Sequence, residues 1–238
     1  QQRLSRIMFY GPEDQLILTE NAQPAIMAVS LATLMALKSQ GWCGLSGAAS
    51  FAAGHSLGEF SAHAGAGTFS LENTARLLKA RGRAMQQAVP VGEGAMAVLL
   101  GVGFEDAEAI ALEAAGEDIC GFANDNADGQ VVVSGSHEAV QRAVEIAKRK
   151  GAKHAKLLAV SAPFHCELML PAAHIMSESL AKVDMNEPAV PIVANVSAQP
   201  VSDVTEIRRL LVKQVTARVR WRESVLAMRD AGVDHFIE

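Results

Sequence analysis

AAGHSLGEF, residues 52–60, sets Ser56 between Gly54 and Gly58, after a small apolar run and ahead of a stretch with helical character. The pattern is that of a strand turning sharply into a helix with a serine at the bend, and it points to an α/β fold. Such a bend needs neighbours without bulk, which the two glycines supply. Two readings fit these residues: a nucleophile raised on a strained turn, or a tight glycine-rich turn with a bystander serine.

The chain has 238 residues, half of them apolar, enough for one large domain or two unequal ones. A formal net charge of -5 gives no overall basic field and argues against nucleic acid as a partner. The three cysteines, Cys43, Cys120 and Cys166, form no C-x-x-C and cannot all pair, which suits a reducing cytoplasm. No metal-ligand spacing is visible: His165 and Cys166 are adjacent and have no second pair. The most hydrophobic stretch, residues 24–37, contains Ser30 and Thr33. It is shorter than the roughly 20 apolar residues that span a bilayer, so it reads as a buried helix and no membrane is expected. The sequence starts at Gln1 without an initiator methionine and closes on HFIE (235–238), which reads as a strand. Both ends read as cut, with no signal peptide or long repeat.

The middle of the chain is organised separately. Residues 94–102 read as a strand, 105–115 as a helix, 119–123 and 130–134 as strands joined by the turn-rich NDNADG, 137–150 as a helix and 154–160 as a strand. The order is β-α-β-β-α-β, the ferredoxin-like arrangement. A small domain is therefore expected at 92–161, inserted in a large α/β domain made of 1–91 and 162–238. APFHCELM then follows directly at the seam, where clefts form.

Seven histidines compete to activate Ser56. His63 lies seven residues along the same helix, about 10 Å of rise, and is out of reach. His55 points to the other side of the turn and reads as packing or support. His137, His154, His174 and His235 have the polar neighbours of solvated side chains. His165 remains, in an irregular connection at the seam, where catalytic groups are common.

A charge stands in an unexpected place. With residues 72–89 as a helix, Thr74, Leu77, Leu78, Ala84, Met85 and Ala88 fall within about 60° of Arg81, while Arg76, Lys79 and Arg83 face the other way. Arg81 thus occupies the centre of the apolar stripe. A buried guanidinium needs acceptors, since leaving it unpaired costs several kcal/mol. Its anion is either one of the chain's own carboxylates or a substrate carboxylate gripped by the planar fork.

GPEDQLILTENAQPAIMAVS (11–30), GHSLGEF (54–60), ARGRAMQQAVPVGEGAMAVLLG (80–101), NDNADGQVVVSG (124–135), VSAPFHCELM (160–169) and LLVKQVTARVRW (210–221), in this order and spacing, resemble the malonyl-CoA:acyl carrier protein transacylases of bacterial fatty-acid synthesis. The resemblance implies an α/β-hydrolase-like large domain with an inserted ferredoxin-like small domain. It implies Ser56 as acyl-accepting nucleophile, His165 as base, the Leu57 N–H as an oxyanion donor and the Gln214 carbonyl as the group orienting His165. Arg81 becomes the ligand of the malonyl carboxylate and Met85 a lining of the acyl pocket. The bulk of Phe164 suits an unsubstituted malonyl group, by analogy with related acyltransferases. The implied enzyme is a cytoplasmic monomer without cofactor or metal, acting on malonyl-CoA and acyl carrier protein. A serine hydrolase or thioesterase and a non-catalytic carrier-binding remnant are the alternatives. Basic clusters at Lys148, Arg149, Lys150 and Lys153, and at Arg208, Arg209 and Lys213, are candidate surfaces for an acidic carrier. The family's glycine-glutamine-glycine loop, source of a second oxyanion donor, would precede Gln1, and a glycine-proline-glycine turn and helix would follow Glu238. Asp128 stands where relatives often have proline, a change expected to touch only the turn.

Overall fold

The computed structural model describes residues 3–238 and is a mixed α/β structure. Helices come first: α1 (Leu4–Tyr10), α2 (Glu13–Ile17), α3 (Thr19–Ser39) and α4 (Leu45–Ala48). The two-residue strand β1 (Ala52–Ala53) follows, then α5 (Leu57–Gly65) and α6 (Leu71–Ala88). The Ser70 side chain caps α6 by accepting from the Asn73 N–H at 3.1 Å. As the periodicity requires, α6 buries Thr74, Leu77, Leu78, Arg81, Ala84 and Met85. Leu78 is wholly enclosed, a burial worth about 1.5–3 kcal/mol.

The central part contains β2 (Gly94–Leu100), α7 (Phe104–Ala115), β3 (Cys120–Ala127), β4 (Gln130–Ser136), α8 (His137–Arg149) and β5 (His154–Leu157). These strands form one sheet in the order β3-β4-β2-β5 with every neighbouring pair antiparallel. Ile110, Ala114, Val140, Ala143 and Ala147 of α7 and α8 pack on Leu99, Val131 and Val133. After a 3-10 turn at Glu167–Met169 come α9 (Leu170–Ala181), β6 (Ile192–Val193), β7 (Pro200–Val201), α10 (Val204–Gln214) and α11 (Trp221–Asp230). Strand β6 lies between β1, to which it runs parallel, and the antiparallel β7. That register brings the connection after β6 beside the turn after β1.

Three expectations need correction. NDNADG is not one long turn: Asn124–Ala127 continue β3, and only Asp128 and Gly129 turn. Asn124 and Asp125 can sit in a buried strand because the rest of the protein satisfies them. The Asp125 N–H donates to the Val219 carbonyl at 3.0 Å, and Arg222 Nη2 donates to Asp125 Oδ2 at 2.8 Å. The apolar stretch at 24–37 belongs to a helix of 21 residues, long and apolar enough by length and composition to cross a membrane. The polar turn Thr19–Asn21 extends it, because Glu20 pairs there with Lys79 and Arg83 of α6. Nor is it buried throughout: α5 and α6 cover the face with Ala25, Met27 and Leu31, while Ile26, Val29 and Met35 are exposed. HFIE is not a strand, since no described residue offers it a ladder, and Phe236 and Ile237 are exposed.

The connection between α10 and α11 is clipped to the four-stranded sheet. Val219 N–H donates to the Ala123 carbonyl at 2.8 Å, and the Arg218 guanidinium lies 4.5 Å from the Phe104 ring centroid and 4.8 Å from that of Phe122. Beside them the Arg222 Nε and Nη2 groups embrace the Asp125 carboxylate. Arg222→Ala strips a buried carboxylate of its cation and is expected to lower unfolding free energy by roughly 1–3 kcal/mol in a urea titration. An unchanged midpoint would show that the clip contributes nothing.

Candidate active site

The bend after β1 is as sharp as its sequence suggests. Ser56 has φ 54° and ψ -108°, a region that costs a residue with a side chain about 1–3 kcal/mol. A Cβ on Gly54 would lie 2.0 Å from the Gly58 carbonyl oxygen, so Gly54 must be glycine. Gly58 is different: a Cβ there meets nothing within 4 Å, and its smallness is not what the turn requires. Asn195, in the connection after β6, holds the bend from both sides. Its Oδ1 accepts the Ser56 N–H at 2.7 Å and its Nδ2 donates to the Gly54 carbonyl at 2.8 Å.

Ser56 Oγ is 2.8 Å from His165 Nε2. The His165 Nδ1 faces the carbonyls of Gln214 at 2.9 Å and Ala217 at 3.2 Å, so the proton belongs on Nδ1 and Nε2 is left to accept from the serine. Burial, with the nearby positive charge of Arg81, pulls the imidazole down to about 3, and the ring is neutral at pH 7. His55 turns away, as expected, with Nε2 2.9 Å from Asn126 Oδ1 and its ring 5.7 Å from that of Trp221. His63 is buried further along α5, 3.2 Å from Thr68 Oγ1.

Arg81 is 1% exposed and reaches the same centre. Its Nη1 donates to Gln23 Oε1 at 2.8 Å, and its Nη2 donates to Gln214 Oε1 at 2.9 Å and to Ser56 Oγ at 3.0 Å. Every one of these acceptors is neutral, and among the described residues Arg81 forms no ion pair. Burial lowers the guanidinium to about 10, which leaves it charged. Its outward-facing neighbours differ in detail from expectation: Arg76 is exposed, whereas Lys79 turns to Glu20.

Leu57 opens α5, where a first-turn N–H has no partner within the helix. Met85 is buried one turn beyond Arg81, its sulfur 3.6 Å from Gln23 Nε2. Phe164 packs against two apolar clusters beside His165. Among the described residues no group of three or more His, Cys, Asp and Glu side chains could hold a metal ion. In the basic clusters Lys148, Lys150 and Arg209 pair with Glu145, Glu113 and Glu206.

Four groups at this centre escape a sequence reading. Gln23 and Asn195 carry no motif of their own, and Gln214 was expected to act only through its carbonyl. Its side chain also donates from Nε2 to the Ser56 carbonyl at 2.9 Å and to Glu59 Oε2 at 2.7 Å. Glu59, three residues after Ser56, resembles an ordinary acidic residue of a first helical turn. It is in fact buried, and burial pushes its carboxyl up to about 7 against the contrary pull of Gln214, Asn195 and Arg81.

A serine on a strand-to-helix bend, bonded to a neutral histidine and lying beside a buried cation, belongs to proteins that carry out acyl transfer through an ester. The chain is a member of the acyl transferase family: the model described as "Acyl transferase domain" matches residues 2–238. It is 40% identical over 237 residues to the malonyl CoA-acyl carrier protein transacylase of Bacillus subtilis, covering 99% of this chain and 73% of the relative. With the same-named protein of Escherichia coli K12 it shares 41% identity, over 96% of this chain and 72% of that one. The crystal structure of the acyl-carrier-protein-S-malonyltransferase from Bartonella henselae superposes with TM-score 0.94 at 53% identity, over 98% of this chain and 74% of the other. A type II PKS acyl-carrier protein in complex with its malonyl-transacylase matches with TM-score 0.93 at 40% identity, over 97% of this chain and 73% of that one.

These titrations fix an acid response. His165 and His63 are both drawn down to about 3, so between 6.5 and 3 the unfolded chain binds protons that the folded one does not. Their stability contribution is whole above 6.5 and is lost as pH falls. Glu59, raised to about 7, works the other way between 7 and 4.5, one group against two. Unfolding free energy is therefore expected to fall on acidification from pH 6.5 to 4 in urea titrations. A rise across that window would contradict the buried, neutral state of the two histidines.

Proposed function

We propose that this protein transfers a malonyl group from malonyl-CoA to the phosphopantetheine thiol of acyl carrier protein, supplying fatty-acid elongation. Ser56 carries the acyl group between the two. The observation that carries the reading is Arg81, a buried cation 3.0 Å from the Ser56 hydroxyl with only neutral acceptors around it. A hydrolase of simple esters has no use for such a cation, whereas a malonyl group ends in a carboxylate that its fork can grip.

In the first half-reaction His165 Nε2 takes the hydroxyl proton as Ser56 Oγ attacks the thioester carbonyl. The Leu57 N–H stabilises the oxyanion at the helix start. The carbon–sulfur bond then breaks, and CoA leaves with the proton from His165. In the second half the carrier's thiol gives its proton to His165 and attacks the ester, and Ser56 recovers its proton as the new thioester departs. The Gln214 carbonyl holds the Nδ1 proton of His165 throughout, while Met85 and Phe164 shape the acyl space. No metal or organic cofactor enters these steps.

On this reading residues 1–91 and 162–238 form an α/β-hydrolase-like large domain and 92–161 a ferredoxin-like insert. Antiparallel neighbours in the order β3-β4-β2-β5 support the second assignment. We assign the protein to the cytoplasm, a reducing compartment that suits its free cysteines; its long apolar helix packs in part against α6.

The substrate assignment is tested at Arg81. Arg81→Ala removes one partner of a desolvated ion pair, a loss of about 2–5 kcal/mol or roughly 30- to several-thousand-fold in kcat/KM for malonyl-CoA. Acetyl-CoA has no carboxylate to lose, so its transfer to carrier protein is expected to stay level or rise. A parallel fall of both activities together with the melting temperature would make Arg81 a structural residue and remove the malonyl assignment.

A further inference from the structure

Among the described residues Glu59 is the one carboxylate tied to the Arg81 site, and the reaction steps above do not use it. Both of its hydrogen bonds fall on Oε2, from Gln214 Nε2 at 2.7 Å and from the Asn195 N–H at 3.1 Å. Gln214 presents its other end, Oε1, to Arg81 Nη2 at 2.9 Å. One amide thus separates a buried anion from a buried cation, and Oε1 of Glu59 is left to carry a proton.

The surroundings admit little other charge. Arg81 of α6 is the charged group that bears on Glu59, and α10 and the connection after β6 contribute the neutral Gln214 and Asn195. The histidines nearby, His165 ahead of α9, His55 at the turn and His63 further along α5, are all shifted toward the neutral form by burial. Arg220, whose N–H binds the Asn195 carbonyl, directs its guanidinium to Glu223.

A substrate carboxylate at Arg81 places a second negative charge in this enclosure. Two anions sharing one buried cation cannot both stay ionised at low cost, and the one with a vacant oxygen takes a proton. We propose that Glu59 is the proton-exchanging counter-charge of Arg81, ionised beside the free cation and protonated once an acyl carboxylate occupies it. Binding of the substrate carboxylate then takes up one proton from water. The inference rests on the reading of Arg81 as carboxylate ligand, and it makes Glu59 a specificity-determining positioning residue.

Linkage gives the sign. Uptake of a proton on binding favours malonyl-CoA at low pH, and with the free-enzyme carboxyl at about 7 the advantage is lost as pH rises past that value. The test is kcat/KM for malonyl-CoA and acetyl-CoA from pH 6 to 9, in the wild type and in Glu59→Gln. Wild-type kcat/KM for malonyl-CoA is expected to be level at the acid end and then to fall by up to about tenfold per pH unit. The acetyl-CoA curve lacks this fall, because no second anion enters. Glu59→Gln, neutral at every pH, loses the fall for malonyl-CoA. A wild type that prefers malonyl-CoA by the same ratio at every pH overturns the proton exchange while leaving the Arg81 reading intact. A Glu59→Gln variant that keeps the fall assigns the proton elsewhere and overturns it too. No preference for malonyl-CoA even at pH 6 removes the Arg81 reading and this inference with it. The two wild-type curves decide the matter even if the variant fails to fold.

Discussion

A guanidinium without a counter-ion in contact is the constraint around which this site is built. Removing Arg81 from water costs several kcal/mol unless its N–H groups find acceptors, so acceptors must come from elements far apart in the chain. Gln23 arrives on α3, Gln214 at the end of α10 and Ser56 at the bend before α5. The approach of α3 is close enough that a Cβ on Gly82, next to Arg81, would lie 2.5 Å from the Glu20 Cα. One side chain therefore ties α6 to α3, to α10 and to the bend that carries the nucleophile.

The same electrostatics keep the reactive pair ready. A cation 3.0 Å from the serine oxygen opposes any charge on His165, which burial already disfavours, so the ring waits as a neutral acceptor. Strain at Ser56 is held by Asn195, which grips the backbone on both sides of the bend. Glu59 closes the arrangement by binding both Gln214 and Asn195. The residue that balances Arg81 thus also fixes the two amides that position the nucleophile, linking charge balance to geometry.

Much of this was legible in the sequence, for reasons that can be named. The bend shows because only glycine fits at 54, and Arg81 shows because a helical period places it among Leu77, Leu78 and Met85. His165 emerges by elimination of histidines that helical rise or polar surroundings exclude. Gln23, Glu59 and Asn195 do not emerge, because local pattern marks polar residues as exposed and their burial depends on elements up to 155 residues apart, as between Glu59 and Gln214. The same limit explains the misread turn at 124–129, where Asp125 enters a strand because Arg222 awaits it. It also explains HFIE, an apolar alternation that needs a neighbouring strand to become one.

The account makes Arg81 and Ser56 two ends of a single acyl-binding site, and the acyl-enzyme itself displays both. The most direct measurement is a crystal structure of the protein trapped after reaction with malonyl-CoA in the absence of a thiol acceptor. The expected density is an ester on Ser56 Oγ whose far carboxylate lies against the Arg81 guanidinium, replacing one or both of the glutamine contacts. An acyl group on another residue, or a carboxylate pointing to solvent while Arg81 keeps Gln23 and Gln214 as partners, would contradict the account.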